Sequence, residues 1–102
     1  MSDFADVIYA QANAAQVAVS TIAVEAKVSG TAQDGRQRLI IIAPESLSSD
    51  TLYWDVESAV SIGTTAQAVL PGETLAFPFG SEVPVYLKTS SGSVNVIVQE
   101  WS

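Results

Sequence analysis

The chain has 102 residues, with four Lys or Arg, eleven Asp or Glu, no Cys and no His, and its net charge is −7. This length fits one domain with its own core, while the missing Cys and His exclude disulfides, thiolate metal sites and a Ser-His-Asp hydrolase within one chain. The acidic balance argues against nucleic acid and against an anionic membrane surface as partners.

The first fifteen residues differ in pattern from the rest of the chain. Phe4 and Ile8 have the spacing of a short amphipathic helix. The alternative is an arm that becomes ordered only on contact with another molecule. We therefore predict an N-terminal arm or short helix at 1–15, with Phe4 and Ile8 as docking residues, and one β-domain at 16–102.

From residue 16 onward the apolar residues follow a two-residue period, which is typical of strands. The phase of this period changes near 20–21, which predicts a bulge or bend. Residues 39–42 are four consecutive branched apolar residues, so we expect a central strand or one that faces a subunit interface. Further strands are predicted at 51–56, 59–62, 83–88 and 94–101.

The stretch 69–79 predicts a strand, a turn and a second strand, which we interpret as a hairpin. Pro71 sets φ for the second position of a type II turn, and Gly72 supplies the positive φ of the third. After the turn, alternate residues from Leu75 to Phe79 are apolar, as in a half-buried strand. In total the sequence predicts an all-β fold, an antiparallel β-sandwich or small barrel of about seven to eight strands.

Four motifs and a final strand follow one another over residues 33–100. They are Gly35-Arg36-Gln37-Arg38-Leu39-Ile40-Ile41-Ile42, Leu52-Tyr53-Trp54, Leu70-Pro71-Gly72-Glu73-Thr74-Leu75, Pro84-Val85-Tyr86 and the Val-rich strand 94–101. This order resembles small virion structural proteins of tailed bacteriophages, including the β-domains of tail and head accessory proteins. The chain departs from the family's "Y-x-G" at Tyr53-Trp54-Asp55, and residues 1–32 carry no match.

The resemblance implies a structural role in the virion, as capsid decoration or cement, head fibre or adhesion module, assembled as trimers or rings. It thus implies a homotrimer that binds the major capsid protein or another virion protein, made in the host cytoplasm and located in the virion. The low share of charged residues, 15%, independently favours burial of some surface against other copies or against another protein.

Several side chains are candidates for such an interface. For Arg36 and Arg38, the alternatives are an ion pair between subunits and a solvent-exposed edge strand. For Tyr53 and Tyr86, sheet packing or a subunit contact competes with stacking on sugar rings. The full set of predicted interface residues is Phe4, Ile8, Arg36, Arg38, Ile40, Ile42, Tyr53, Tyr86 and Trp101.

Three acidic residues lie close together in sequence, namely Asp50, Asp55 and Glu57. Such carboxylates can bind Ca²⁺, but without an EF-hand-like spacing a solvated acidic face is the better interpretation. A glycosidase pair would need a cleft that a sandwich of this size seldom has. We therefore predict no catalytic, cofactor or metal site. The predicted function is a non-enzymatic capsid decoration or cement subunit, and the alternative is a tail or fibre module that binds host carbohydrate.

Overall fold

The computed structural model describes residues 13–48 and 51–102, and the regular structure in these ranges is entirely β. The eight strands are β1 Asn13–Val19, β2 Val24–Glu25, β3 Arg38–Ile42, β4 Leu52–Asp55, β5 Gln67–Val69, β6 Thr74–Phe77, β7 Tyr86–Thr89 and β8 Val94–Trp101. They form two antiparallel sheets, sheet I in the order β1-β8-β3-β6 and sheet II in the order β2-β7-β4-β5. The predicted antiparallel β-sandwich is confirmed. No described segment is a helix long and apolar enough to cross a membrane.

The strand order follows from one long hairpin that is rolled into two sheets. β1 pairs with β8, β2 with β7, β3 with β6 and β4 with β5, all antiparallel. The pairs β3–β8 and β4–β7 join these into the two sheets. This is the strand order of a jelly roll. The phase change predicted near 20–21 is the point where the chain leaves sheet I and enters sheet II.

For residues 69–79, the predicted turn is confirmed, but the predicted pairing of the two strands that flank it is wrong. The amide of Glu73 donates to the carbonyl of Leu70 at 3.1 Å, and Gly72 has φ 71°, as a type II turn requires. However, β5 belongs to sheet II and β6 to sheet I. The turn therefore connects the two sheets, because turn residues specify local geometry and not the partner of each strand.

The core lies between the sheets. Leu39 and Ile41 of sheet I and Leu52 and Leu87 of sheet II are all 0% exposed. β3 lies between β8 and β6, so the prediction of a central strand at 39–42 is confirmed. The strand predicted at 59–62 does not form, since the amides of residues 64, 65 and 66 all donate to the Ser61 carbonyl in a turn.

Candidate interaction surface

The side chains of sheet I that point away from the core form one continuous face, which we call the outer face of sheet I. The residues follow from the strand registers and from the alternation of buried and exposed positions. They are Ala14, Gln16, Ala18, Arg38, Ile40, Ile42, Thr74, Ala76, Asn95, Ile97, Gln99 and Trp101.

Isoleucines occupy the middle of this face. Ile42 is directly opposite Ile97 of β8 on one side and Thr74 of β6 on the other. Ile40 is half-buried, and Ile97 is 40% exposed. Branched apolar side chains in adjacent positions on a solvent-facing sheet make this part of the face a candidate site of contact with another molecule.

The electrostatics of the two outer faces differ. Arg38 is the single charged residue among the twelve described residues of the outer face of sheet I, which carries no carboxylate. The outer face of sheet II carries the partly exposed Glu25 and Lys88 on neighbouring strands, and the Asp55 carboxylate on the same side is buried. In a chain with eleven acidic residues, a sheet face without a carboxylate is the surface on which another acidic molecule meets the least repulsion.

Four of the predicted interface residues lie together on the outer face of sheet I. Arg38 is directly opposite Trp101, and Ile40 and Ile42 follow on β3. The indole Nε1 of Trp101 donates to Oε1 of Gln99 at 3.3 Å. The sequence analysis did not predict Ile97 as an interface residue. A signal was available, because Ile97 lies between Val96 and Val98 in β8 and its side chain therefore points to the other face of the sheet.

Arg36 does not lie on this surface, in contrast to the prediction. It is 3% exposed, and its Nη1 lies 2.9 Å from Oε2 of Glu100, which is 1% exposed. Arg36 thus fits neither alternative, an ion pair between subunits or a solvent-exposed edge strand, because it is buried and pairs with Glu100 of the same chain. The physical reason is that Arg36 precedes β3, which begins at Arg38, so the alternation of the strand does not place Arg36 and Arg38 on one face.

The Arg36–Glu100 pair also satisfies the backbone of two connections. Arg36 donates to the carbonyls of Phe79, Gly80 and Val83 at 3.2, 2.7 and 3.1 Å. Glu100 accepts from the amides of residues 28 and 33 at 2.8 and 2.9 Å. The pair thus fixes the β2–β3 and β6–β7 connections to the end of β8, which is a structural role.

The remaining predicted interface residues lie elsewhere. Tyr53 and Tyr86 are half-buried on the outer face of sheet II, where Tyr53 is opposite Lys88 and Tyr86 is opposite Asp55. Phe4 and Ile8, with the predicted arm up to residue 12, lie outside the described residues, and β1 begins at Asn13.

Asp55 closes the end of β4 and does not lie on an open acidic face. It is 6% exposed, accepts a 2.7 Å hydrogen bond from the hydroxyl of Thr65, and accepts the amide of Glu57 at 3.2 Å. The Thr65 hydroxyl, assisted by backbone amides and opposed by burial, holds the pKa of Asp55 below its ordinary value. Within 13–48 and 51–102 no group of three potential metal ligands occurs.

A shallow groove of about 630 Å³ lies where the β3–β4 and β7–β8 connections meet. Its described lining includes Ser46, Ser48, Ser91 and Ser93 and contains neither a charged nor an aromatic side chain. Hydroxyls without an adjacent base are weak nucleophiles, and no described residue of the lining is such a base.

No family model, curated protein or solved structure matches this chain.

Proposed function

We propose that this chain is a non-enzymatic virion structural protein of a tailed bacteriophage, and specifically a capsid decoration or cement subunit. In this role it binds the capsid shell and other copies of itself, as a homotrimer if it follows the proteins that it resembles. Binding free energy from many identical contacts on the shell replaces any chemical step.

The observation that carries the proposal is the outer face of sheet I. Ile40, Ile42 and Ile97 lie there beside alanines and amides, with Arg38 as the single charge. An apolar sheet face with a single charge does not help a small domain to stay dissolved, but it does help a subunit whose face is covered after assembly.

The fold is compatible with this role. The jelly-roll strand order recurs in viral capsid domains, and also in lectin domains and cupins. Because one fold serves many functions, this is a supporting analogy and the surface carries the argument.

Sedimentation velocity and virion composition test the proposal. We expect the wild-type chain to form a stable oligomer at micromolar concentration, and Ile97→Glu to lower the mass of that oligomer. Ala68→Glu adds the same charge at an exposed position on the outer face of sheet II, and it should leave the oligomer intact. Quantitative mass spectrometry of purified virions of the phage that carries the gene should give hundreds of copies per particle. A wild-type monomer that is absent from virions would contradict the proposal.

The second candidate function is host recognition by a tail or fibre module that binds surface carbohydrate. It is favoured by Tyr53 and Tyr86, which share the outer face of sheet II. Tyr53 is directly opposite Lys88, and Tyr86 lies two residues before Lys88 on the same strand, so the two tyrosines are diagonal neighbours. Selective binding on a glycan array, lost in Tyr53→Ala and in Tyr86→Ala, would support this alternative. A few copies to a few dozen per virion would support it too.

A further inference from the structure

The four edge strands of the sandwich differ in how open they are to another chain. In sheet II the edges are β2 and β5, with two and three residues. In sheet I one edge is β6, with four residues, and Pro78 follows it directly. Short strands and prolines prevent pairing with another chain. The fourth edge, β1, has seven residues.

β1 lacks the features that normally block an edge strand. Its sequence, Asn-Ala-Ala-Gln-Val-Ala-Val from Asn13 to Val19, contains no charge, no proline and no glycine. Its register with β8 runs without a bulge from Asn13 opposite Glu100 to Val19 opposite Val94. No other described strand pairs with it. In an antiparallel edge strand, about half of the backbone groups point outward, and no described strand forms a ladder with them on this side of β1.

We propose that β1 pairs with β1 of a second copy, antiparallel and about a two-fold axis at Gln16, so that two copies of sheet I become one eight-stranded sheet. This inference rests on the proposed self-association and specifies one of its contacts. A two-fold contact predicts an even number of copies, where the resemblance implies three.

The side chains of β1 are self-complementary in this register. Gln16 lies opposite the Gln16 of the second copy, and their amides can both donate and accept. Ala14 lies opposite Ala18, and Ala15 opposite Val17, so small or branched apolar residues meet on both faces of the new sheet. A register shifted by one residue would turn apolar side chains of one copy to the wrong face.

Charge favours a second copy at this edge. Two chains with a net charge of −7 repel each other, so they approach where charge is absent. β1 and the residues of β8 that pair with it carry one charge, Glu100, which is buried and paired with Arg36. Arg38 lies two strands away from β1, about 10 Å at the usual strand spacing. Among the described residues of this edge, no unpaired carboxylate therefore opposes the approach of a second copy.

Cysteine cross-linking tests the register directly, because the natural chain contains no Cys. Directly opposite residues of an antiparallel pair have Cα atoms about 4.5–5.5 Å apart, which suits a disulfide. We expect Gln16→Cys to form a disulfide-linked dimer in air, with a shift to twice the mass on a non-reducing gel. Ala68→Cys, on the β5 edge, should stay a monomer on the same gel. An equal mixture of Ala14→Cys and Ala18→Cys should form the mixed dimer.

The second test is Gln16→Lys, which places two ammonium groups opposite each other at the two-fold axis. Because Gln16 is exposed, the fold should be kept, as circular dichroism will show. We expect sedimentation velocity to give half the wild-type mass. If the oligomer survives Gln16→Lys and Gln16→Cys does not cross-link, the β1 contact is refuted. In that case, loss of the oligomer in Ile97→Glu alone would still support the proposed function.

Discussion

Replacing Glu100 by Gln keeps the shape of the side chain and removes its charge, and it should destabilise the domain severely. The carboxylate accepts three hydrogen bonds, from Nη1 of Arg36 and from the amides of Val28 and Gln33. An amide has one acceptor oxygen, so in either orientation its NH₂ group faces at least one donor. The Arg36 guanidinium, on a side chain that is 0% exposed, would lose its counter-charge.

The magnitude follows from this burial. Removing one partner of a buried ion pair costs about 3–5 kcal/mol, because the other charge stays buried without compensation. A domain of this size is stable by about 5–15 kcal/mol, so Glu100→Gln removes roughly a fifth to all of that stability. With a urea m value of about 1–3 kcal/mol/M, the unfolding midpoint should fall by at least about 1 M.

Urea unfolding followed by circular dichroism measures this change. The matched control is Glu25→Gln, because Glu25 pairs with Lys27 at 3.5 Å in a partly exposed position. Exposed pairs contribute about 0–1 kcal/mol, so the control midpoint should move little. If Glu100→Gln lies within about 1 kcal/mol of the wild type, the assigned role of this pair is incorrect.

The double variant Arg36→Met with Glu100→Met separates two explanations. A buried pair that only compensates its own charges can often be replaced by apolar residues without loss. Here the pair also satisfies two amides and three carbonyls, and each group left unsatisfied costs about 1–3 kcal/mol. We expect the double variant to remain at least about 2 kcal/mol below the wild type, and full recovery would refute this reasoning.

Three further changes test the turn, the Asp55 cap and the core by urea unfolding. Gly72→Ala should cost about 1–3 kcal/mol because φ is 71° there, while Gly30→Ala, with open space around the added carbon, should not destabilise the domain. Thr65→Val removes the hydroxyl that lowers the pKa of Asp55. Because the pKa is lowered in the folded state, the ionised carboxylate stabilises the fold at pH values above its ordinary pKa of 3.8, and this stabilisation is lost as the pH falls through the folded-state pKa. The free energies of unfolding of wild type and variant should therefore differ more at pH 7 than below the folded-state pKa. Ile41→Ala, at a side chain with 0% exposure, should cost about 2–5 kcal/mol.

Opposite outcomes would identify specific errors. Equal effects of the two glycine substitutions would show that the conformation at Gly72 is not constrained. A difference between wild type and Thr65→Val that does not change with pH would show that the hydroxyl acts on packing and not on the Asp55 carboxylate.

Four of the twelve residues on the outer face of sheet I were predicted from the sequence as interface residues. Ile40, Ile42 and Arg38 alternate with the buried Leu39 and Ile41, and the two-residue period of a strand is a local property of the backbone. Which strands lie beside β3 was not predictable in the same way. The proximity of Ile42 to Ile97 depends on a pairing between residues 55 positions apart, and no local pattern encodes it.

Local features of this protein were predictable from the sequence: the strand period, the type II turn at Pro71-Gly72 and the uncharged composition of β1. Three other features emerge only in the folded chain: β5 and β6 belong to different sheets, β1 is an edge among the described strands of sheet I, and Arg36 pairs with Glu100. The difference lies in how far along the sequence each kind of interaction acts. Backbone sterics and side-chain alternation act between neighbours in sequence, whereas partners that are 64 residues apart are chosen by the packing of the whole core.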